Sequence, residues 1–456
     1  MHFKEAFGKY LEEAIGSDKA LVAFSAFEQP AKVAVRYNPF KICDRFAGVP
    51  VPWNRYGVLL PQRPQFTLDP IFHGGGYYVQ DSSSMFVGHA FREMLSQLQV
   101  PSTDIVRVLD LCAAPGGKST DLAASLRERF GDRFILVSNE VMKQRAAVLA
   151  ENMAVWGDPQ VAVTSDDPSA FASLPGYFDI VVADVPCSGE GMFRKDEEAQ
   201  RQWSEDNVAL CEARQRRIVA DMWPCLKKDG ILIYSTCTFN RYENDGNAAW
   251  VADELGAEHL ALSQEYDGVI HTQYGYSLVP GFVEGEGQYC ALLRKTAENV
   301  GYGTARSGKE RPAKGQIALP ESLKSLFKTD VTLRQKGDMI IAVPSHIMQD
   351  VRTLESALHL LSAGCAAGVL KGQTLVPDED MALSVIYDMA SYPVADVDAD
   401  TALAFLHKDA IVLKDTDKGY VLIRYEGMPL GFVKNLGNRC NNLHPQGRRI
   451  RMDIRK

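Results

Sequence analysis

Two cysteines, each directly after an apolar run, are the residues in this sequence whose placement most clearly suggests chemistry. Cys187 follows "YFDIVVADVP", and Cys237 follows "DGILIYST". A single buried free cysteine is usually inert. Two thiols that end two buried strands of one sheet would lie at the same edge of that sheet. The pair therefore indicates nucleophilic catalysis more strongly than either cysteine alone.

Methylation of a cytosine ring is a reaction that uses two such thiols. Carbon 5 of cytosine is a poor nucleophile, but a thiolate that adds to carbon 6 lets carbon 5 attack an electrophilic methyl group. The proton on carbon 5 must then leave and the thiol must be expelled, which a second group can assist. The reaction also needs an acid hydrogen-bonded to the ring, and Asp184, three residues before Cys187, is placed for that role.

The elements that must position these residues alternate between strand and helix patterns from about residue 105 to 295. This alternation predicts an α/β fold with a doubly wound, Rossmann-like parallel sheet covered by helices on both faces. Parallel strands end at the same edge, and ligands bind there. Three acids follow the second, third and fourth predicted strands at that edge: Glu140, Asp167 and Asp184.

The turn after the first predicted strand, "LCAAPGGKS", contains Gly116 and Gly117. Glycines at this point let the backbone approach a ligand closely, next to a helix amino terminus. Glu140 follows at about the spacing of the ribose-binding acid in dinucleotide folds. The pattern favours an adenosyl cofactor. Asp166 and Asp167 are both candidates near its adenine, and we favour Asp167 because it precedes a Pro168 turn.

A nucleotide hydrolase is the main alternative for this turn. "CAAPGGKS" is one residue short of a P-loop, because Cys112 stands where the first glycine is required. The apolar strand "DIVVAD" also resembles the strand that ends in a Mg²⁺-binding aspartate. A hydrolase, however, has no use for Glu140 or for two thiols at strand ends.

Composition limits the remaining choices. The chain has 456 residues, 46% hydrophobic and 23% charged, with a net charge of −9. This is typical of a globular protein of two or three domains, and no apolar run is long enough to span a membrane. Nine scattered cysteines without a Cys-x-x-Cys pair argue against a disulfide framework and a structural zinc site. We expect a cytoplasmic protein without a metal.

Several motifs together carry a family resemblance. "DVPCSGEGMFRKD", "YSTCTFNRYEN", "LCAAPGGKS" and "YYVQDSSSM" resemble the Nop/Sun family of RNA cytosine-5 methyltransferases, and most closely the bacterial 16S rRNA enzymes of the RsmF type. The stretch from "VPWNRYGVLL" to "QDSSSMF" is similar to the amino-terminal region of that type. "YEGMPLGFVKNLGNRCNNLHPQGRRIR" is similar to its carboxy-terminal RNA-binding segment, which resembles a PUA domain. The resemblance covers nearly the whole chain.

The resemblance implies a role for each site residue. Cys237, in the Thr-Cys motif, would be the nucleophile, and Cys187, in the Pro-Cys motif, would assist release of the methylated base. Asp184 would lie between cofactor and base, with Glu140 at the ribose and Asp167 near the adenine. S-adenosylmethionine would be bound by the turn, which consists of Cys112, Ala113, Ala114, Pro115, Gly116, Gly117 and Lys118. Val185 departs from the alanine that is usual in the family.

The resemblance also implies the organisation and the partner. We expect an α+β RNA-binding region over residues 1–70, the catalytic domain over 71–295, a linker over 296–316 and a PUA-like α+β region over 317–456. The expected partner is rRNA of the small ribosomal subunit or its assembly intermediate, bound by a monomer with no membrane association. A tRNA methyltransferase would share every catalytic residue, and a non-catalytic RNA-binding protein is a third function class beside the hydrolase.

Overall fold

The computed structural model describes residues 5–42, 44–98, 100–101, 103–298, 319–414 and 416–454. Most of the predicted linker, from residue 299 onward, lies outside these ranges. The predicted domain boundaries stay predictions. Within the described ranges, no helix combines the length and the apolar character that crossing a bilayer requires.

The amino-terminal part is a small antiparallel sheet with helices before and after it. Its strands pair in the order β2-β3-β1-β4. The short helix α3 begins at a proline, and the Asp69 carboxylate caps it by accepting a hydrogen bond from the Ile71 amide at 3.1 Å. The elements are α1 (Glu5–Ile15), α2 (Ser17–Phe27), β1 (Val33–Tyr37), β2 (Val49–Val51), β3 (Asn54–Leu60), α3 (Pro70–His73), β4 (Tyr77–Val79) and α4 (Met85–Gln97).

A mixed sheet forms the centre of the molecule. Its parallel part has the order β7-β6-β5-β8-β9, and β13 and β12 continue it antiparallel beyond β9. The predicted doubly wound sheet is therefore confirmed. The elements are β5 (Val106–Asp110), α5 (Gly117–Phe130), β6 (Phe134–Asn139), α6 (Lys143–Trp156), β7 (Val161–Thr164), β8 (Phe178–Asp184), α7 (Glu197–Gln202), α8 (Glu205–Met222), β9 (Leu226–Thr236), α9 (Asp245–Leu255), β10 (Ala257–Leu260), β11 (Ile270–His271), β12 (Gly275–Leu278) and β13 (Gln288–Lys295).

Alternate residues of the central strands point to the two faces of this sheet, as the period of a strand requires. Val106 and Val108 of β5 belong to the apolar cluster on one face, which includes α4 and α5. Leu109 belongs to the cluster on the other face, which includes α8 and α9. Because both faces of the sheet are covered, the middle of each central strand is apolar. The polar residues of these strands lie near the strand ends.

The carboxy-terminal part contributes two four-stranded sheets and one strand of the central sheet. The sheets have the orders β14-β15-β17-β18 and β19-β20-β21-β22, and β16 pairs antiparallel with β7. The elements are β14 (Val331–Lys336), β15 (Met339–Pro344), α10 (Met348–Ala357), β16 (Leu360–Ala363), β17 (Cys365–Lys371), β18 (Thr374–Pro377), α11 (Glu379–Leu383), β19 (Val394–Asp396), α12 (Ala399–His407), β20 (Gly419–Tyr425), β21 (Met428–Asn435) and β22 (Cys440–Asn442).

Candidate active site

The glycine turn leads from β5 into α5 and packs against α6. Gly116 has a φ of 114°, which favours glycine, and a Cβ there would lie 2.7 Å from the Met153 side chain. Asn152 of α6 donates a hydrogen bond to the Pro115 carbonyl at 2.7 Å, and Arg145 donates to the Ala114 carbonyl at 2.8 Å. Two side chains of α6 therefore hold the backbone of the turn on one side, and the other side of the turn faces the edge of the sheet.

Asp110 ends β5 immediately before the turn and is fully buried. Its Oδ2 accepts a hydrogen bond from Ser119 at 2.6 Å, whereas its Oδ1 has no partner within the described protein. Burial raises the pKa of this carboxyl to about 7. A buried polar atom without a partner is costly, so an atom of a bound molecule would fit at this position.

Glu140 follows β6 at the same edge. Its Oε1 accepts a hydrogen bond from the Met142 amide at 2.9 Å, and its Oε2 lies 3.2 Å from Arg145. Val141 and Met142 beside it are about half exposed, with 54% and 56% of their surface accessible. A carboxylate next to exposed apolar side chains suits a ligand that joins a hydroxylated sugar to a flat apolar base.

The two candidate aspartates after β7 have different surroundings. Asp166 Oδ2 accepts a hydrogen bond from the His359 amide at 2.9 Å. Asp167 caps a short 3₁₀ helix by accepting from the Ser169 amide at 3.1 Å, and its other oxygen lies 3.6 Å from Arg217. The bonds from Ser169 lower the pKa of Asp167. Its role at the adenine stays a prediction.

Asp184 ends β8 and is held by three neighbours. Lys118 of the glycine turn lies 2.8 Å from Oδ2, while Ser235 and Gln288 donate to Oδ1 at 2.8 and 3.0 Å. Burial alone would lower the pKa of Lys118, but the Asp184 carboxylate outweighs burial and raises it, with a smaller contribution from Cys237. A fixed ion pair therefore connects the turn to the strand that precedes the first thiol.

The two thiols meet at the edge of the sheet, as the sequence predicts. β8 and β9 are parallel neighbours, with Asp184 paired to Ser235, and the sulfurs of Cys187 and Cys237 lie 3.1 Å apart. Both cysteines are partly exposed. The hydrogen bond with Cys237, together with burial and the charge of Glu243, raises the pKa of Cys187 well above its usual value.

Two buried glutamates, which sequence reasoning missed, join the loops that carry the thiols. Glu243 accepts hydrogen bonds from the Ser188 amide at 3.0 Å, Gln215 at 2.7 Å and Asn240 at 2.8 Å. Glu190 accepts from the Phe239 and Asn240 amides and from the side chains of Trp203 and Asn240. Both glutamates lie inside the cysteine motifs quoted above. The signal available in the sequence was a charged residue close to the end of a buried strand.

Polar and charged residues elsewhere in the quoted motifs make contacts within the protein. Asp81 accepts a hydrogen bond from the Glu286 amide at 2.9 Å, and Gln80 accepts from the buried Arg36 at 2.8 Å. Arg194 and Lys195 lie 3.2 and 3.6 Å from the Glu286 carboxylate. Within the basic tail, Arg448 is turned inward onto Glu379 and Asp380, whereas Arg449 and Arg451 are exposed.

The residues at this edge fit S-adenosylmethionine. The unpartnered oxygen of Asp110 and the carboxylates of Asp184 and Glu140 suit its ammonium and hydroxyl groups. When bound, this cofactor supplies a methyl group as an electrophile. Within the described part of the chain, no cluster of His, Cys, Asp and Glu is arranged to hold a metal ion.

Comparisons with known proteins give the family. A family model described as 16S rRNA methyltransferase RsmB/F matches residues 97–294, the N-terminal domain of 16S rRNA methyltransferase RsmF matches 3–82, and the methyltransferase RsmF PUA domain matches 392–450. The chain is 27% identical to ribosomal RNA small subunit methyltransferase F of Enterobacter sp. (strain 638), covering 97% of this chain and 95% of that protein. The protein of the same name from Salmonella typhi is also 27% identical, with 98% and 96% covered.

Solved structures share the fold. A methyltransferase homolog protein from Pyrococcus horikoshii has a TM-score of 0.54 and 24% identity, covering 64% of this chain and 95% of that one. NSun6 from Pyrococcus horikoshii with SFG also has a TM-score of 0.54, at 17% identity, covering 65% and 99%. With all three RsmF-type models matched in order along one chain, and relatives aligned over its full length, the chain belongs to the RsmB/F family of 16S rRNA methyltransferases, whose methyl donor is S-adenosylmethionine.

Proposed function

We propose that this S-adenosylmethionine-dependent methyltransferase transfers a methyl group to carbon 5 of a cytosine in 16S rRNA, through a covalent bond between Cys237 and carbon 6 of the base. The observation that carries the proposal is the pair of sulfurs, 3.1 Å apart at the ends of adjacent parallel strands. The pair lies next to the ion pair of Lys118 and Asp184. Cytosine-5 chemistry accounts for both thiols, whereas a P-loop hydrolase accounts for neither.

The charges around the two thiols support different roles for them. The Lys118 ammonium lies close enough to Cys237 for their charges to interact, and a nearby cation favours the thiolate that a nucleophile requires. Around Cys187, the hydrogen bond with Cys237, burial and the charge of Glu243 raise the pKa of the thiol. Together with the Thr-Cys motif, these surroundings support Cys237 as the nucleophile and Cys187 as the group that assists release.

The reaction then proceeds in two halves on the base. The Cys237 thiolate forms a bond to carbon 6, and the electron pair displaced towards carbon 5 forms the new carbon–methyl bond. The sulfur–methyl bond of the donor would break at the same time, and its electron pair would stay on the sulfur of S-adenosylhomocysteine. In the second half, the carbon 5 proton passes to water, its bonding electrons form the double bond between carbons 5 and 6 again, and the electrons of the sulfur–carbon bond return to Cys237. Cys187, in contact with that sulfur, is placed to assist its release. Asp184 is held by Ser235 and Gln288 in position to hydrogen-bond the ring.

The substrate class is supported by the relatives and by the architecture. The full-length relatives carry the name ribosomal RNA small subunit methyltransferase F, and the RsmF PUA model matches residues 392–450. We propose rRNA of the small subunit or its assembly intermediate as the partner, bound by a monomer in the cytoplasm. A tRNA substrate is the alternative, because it would use the same catalytic residues.

Trapping the covalent intermediate tests the proposal. Cys187→Ala should accumulate a covalent RNA–protein adduct on a denaturing gel when incubated with 16S rRNA and S-adenosylmethionine, because release is impaired. Cys237→Ala should form no adduct and transfer no methyl group. Cys440→Ala, which alters a cysteine outside the site, should turn over like the wild type without accumulating adduct. An adduct with Cys237→Ala but not with Cys187→Ala would reverse the two roles, and full turnover by Cys237→Ser would overturn the mechanism.

Mapping the product separates the RNA classes. Bisulfite sequencing of RNA from a deletion strain should reveal the loss of one or more 5-methylcytosines in 16S rRNA, which return when the gene is restored. Loss of the mark from tRNA, with the 16S rRNA pattern unchanged, would replace the rRNA proposal with the tRNA alternative.

A further inference from the structure

A cavity of about 340 Å³ lies where three parts of the chain meet, and the cofactor edge and the thiols do not line it. The segment that ends the amino-terminal sheet contributes Phe72, Tyr77 and Tyr78, and α6 of the catalytic domain contributes Asn152, Val155 and Trp156. His444 and Arg448 come from the region matched by the PUA model. A volume of this size is in the range of small-ligand sites.

One residue that lines the cavity, His444, has a buried ring nitrogen without a hydrogen-bond partner within the described protein. His444 is 2% exposed, and its Nδ1 is hydrogen-bonded to the Glu379 carboxylate. That bond fixes the ring, while Nε2 has no hydrogen-bond partner within the described protein. Glu379 is itself held by Arg448 at 3.2 Å. Glu379 and Arg448 therefore fix the imidazole ring, and one of its nitrogens is left without a hydrogen bond.

The chemistry of the lining selects a flat, uncharged ligand. Aromatic side chains from three elements, α3, β4 and α6, line the cavity, and aromatic side chains stack on nucleobases. The charged lining residues are Glu151, Glu379 and Arg448, so positive charge is not in excess as a phosphate site would need. The side-chain oxygen of Asn152, whose amide N–H₂ is bonded to the Pro115 carbonyl, and the Nε2 of His444 offer hydrogen-bonding groups that can read the edge of a base.

We infer that this cavity, lined by residues 72–79 from α3 to β4, by α6 and by the His444–Arg448 segment, binds one unpaired nucleobase of the RNA substrate, away from the cytosine that is methylated. RNA is the source that the location favours, because the cavity forms only where the three RsmF-type regions come together. A base held there would fix the register of the RNA relative to the thiols. The inference rests on the RNA part of the proposed function and not on its covalent step.

Filling the cavity tests the inference. Val155→Phe would occupy the space of a base, and Val148→Phe makes the same change on the same helix at a residue that is 47% exposed and does not line the cavity. Binding of a 16S rRNA transcript should be measured without S-adenosylmethionine at about 0.15 M salt. We expect Val155→Phe to weaken binding about tenfold, the loss that follows when one stacked base is removed, and Val148→Phe to bind like the wild type.

A second variant distinguishes the loss of a contact with RNA from misfolding of the protein. His444→Asn keeps an amide group near the position of Nδ1, where it can still contact Glu379, and removes Nε2. It should weaken RNA binding at an unchanged melting temperature. Ultraviolet crosslinking of the wild type should attach a nucleotide to the peptides that contain Tyr77, Tyr78 or Trp156.

The outcomes separate this inference from the proposed function. Weaker RNA binding by both variants, with crosslinks at the cavity, supports the inference even if no 5-methylcytosine forms. Unchanged RNA binding by both variants overturns it even if methylation proceeds. If nucleoside monophosphates bind the wild type but neither variant, while RNA binding is unchanged, then the occupant is a free nucleotide and the RNA inference fails.

Discussion

At the scale of single residues, Glu243 links the two halves of the proposed reaction centre. Its carboxylate accepts hydrogen bonds from Ser188, next to Cys187, and from Asn240, three residues after Cys237. Gln215 of α8 supplies a third bond. All three partners are donors, so this position requires a side chain with two acceptor oxygens. Glu243 is therefore one of the contacts that hold the two thiol-bearing loops together.

Replacing that carboxylate should therefore separate the thiols without removing either. Glu243→Gln would turn an amide N–H₂ towards existing donors, and we expect methyl transfer to fall about 10²-fold, as happens when reacting groups are displaced by an ångström. Single-turnover rates with 16S rRNA measure this effect. Glu212→Gln changes a half-buried carboxylate of α8 that accepts from Arg216 in the same helix, and it should keep its activity. Equal rates for the wild type and Glu243→Gln would show that the carboxylate does not position the thiols.

The same residue gives the sign of a pH effect on stability. Burial raises the pKa of Glu243 to about 7 in the folded protein, whereas an unfolded glutamate titrates at about 4.3. Between these values the unfolded chain loses its proton first, so the stability contributed by Glu243 is present below about pH 4 and declines as the pH rises to 7. The destabilisation caused by Glu243→Gln in urea unfolding should therefore shrink over that range.

At the scale of elements, the loops after β8 and β9 are in backbone contact at Gly191. Its amide donates a hydrogen bond to the Cys237 carbonyl at 2.8 Å. A Cβ on this residue would lie 2.9 Å from that oxygen, and 3.1 and 3.3 Å from the carbonyl oxygens of Glu286 and Gly287. All three neighbours are backbone atoms, which cannot move aside as a side chain could. The loop that carries Cys237, the proposed nucleophile, can therefore approach this closely only because Gly191 has no side chain.

Gly191→Ala should displace Cys237 and lower the rate of methyl transfer by about 10- to 100-fold. Thermal unfolding should show a modest loss of stability, of about 1–3 kcal/mol, because the added methyl group overpacks a buried site. Gly447→Ala, where a Cβ would meet no atom within 4 Å, is the matched control and should behave like the wild type. A fully active Gly191→Ala enzyme would mean that the loops adjust freely.

The sequence predicts some parts of this site and not others, for physical reasons. Alternation of strand and helix places Asp184, Cys187 and Cys237 at one edge, because parallel strands end on the same side. The bonds of Glu190 and Glu243 could not be predicted, since they cross between two loops whose shapes the periodicity does not determine. The inward turn of Arg448 onto Glu379 and Asp380 could not be predicted either, because an arginine of "QGRRIR" would equally suit an exposed surface.

At the scale of the whole molecule, the catalytic sheet shares its core with the region after residue 319. β16 adds an edge strand next to β7. On one face of the sheet, Val351 and Leu354 of α10 belong to the same buried apolar cluster as the strands β8 and β9. Arg107 of β5 also lies 2.6 Å from the Asp350 carboxylate. The sequence did not predict this shared core, because a linker-like segment separates the two parts along the chain.

An apolar cluster that is shared between the catalytic sheet and α10 predicts that the two parts unfold in one transition. Leu354→Ala removes a fully buried side chain of α10 and should lower the free energy of unfolding by about 2–5 kcal/mol. Because the cluster continues into the catalytic domain, tryptophan fluorescence and the thermal shift produced by S-adenosylhomocysteine should both report the same lowered transition. Leu210→Ala, at a leucine of α8 that is 56% exposed, should leave the transition in place. Two separate transitions, with the one that responds to S-adenosylhomocysteine unmoved by Leu354→Ala, would show that the catalytic sheet folds without its carboxy-terminal neighbour and that β16 and α10 merely dock onto it.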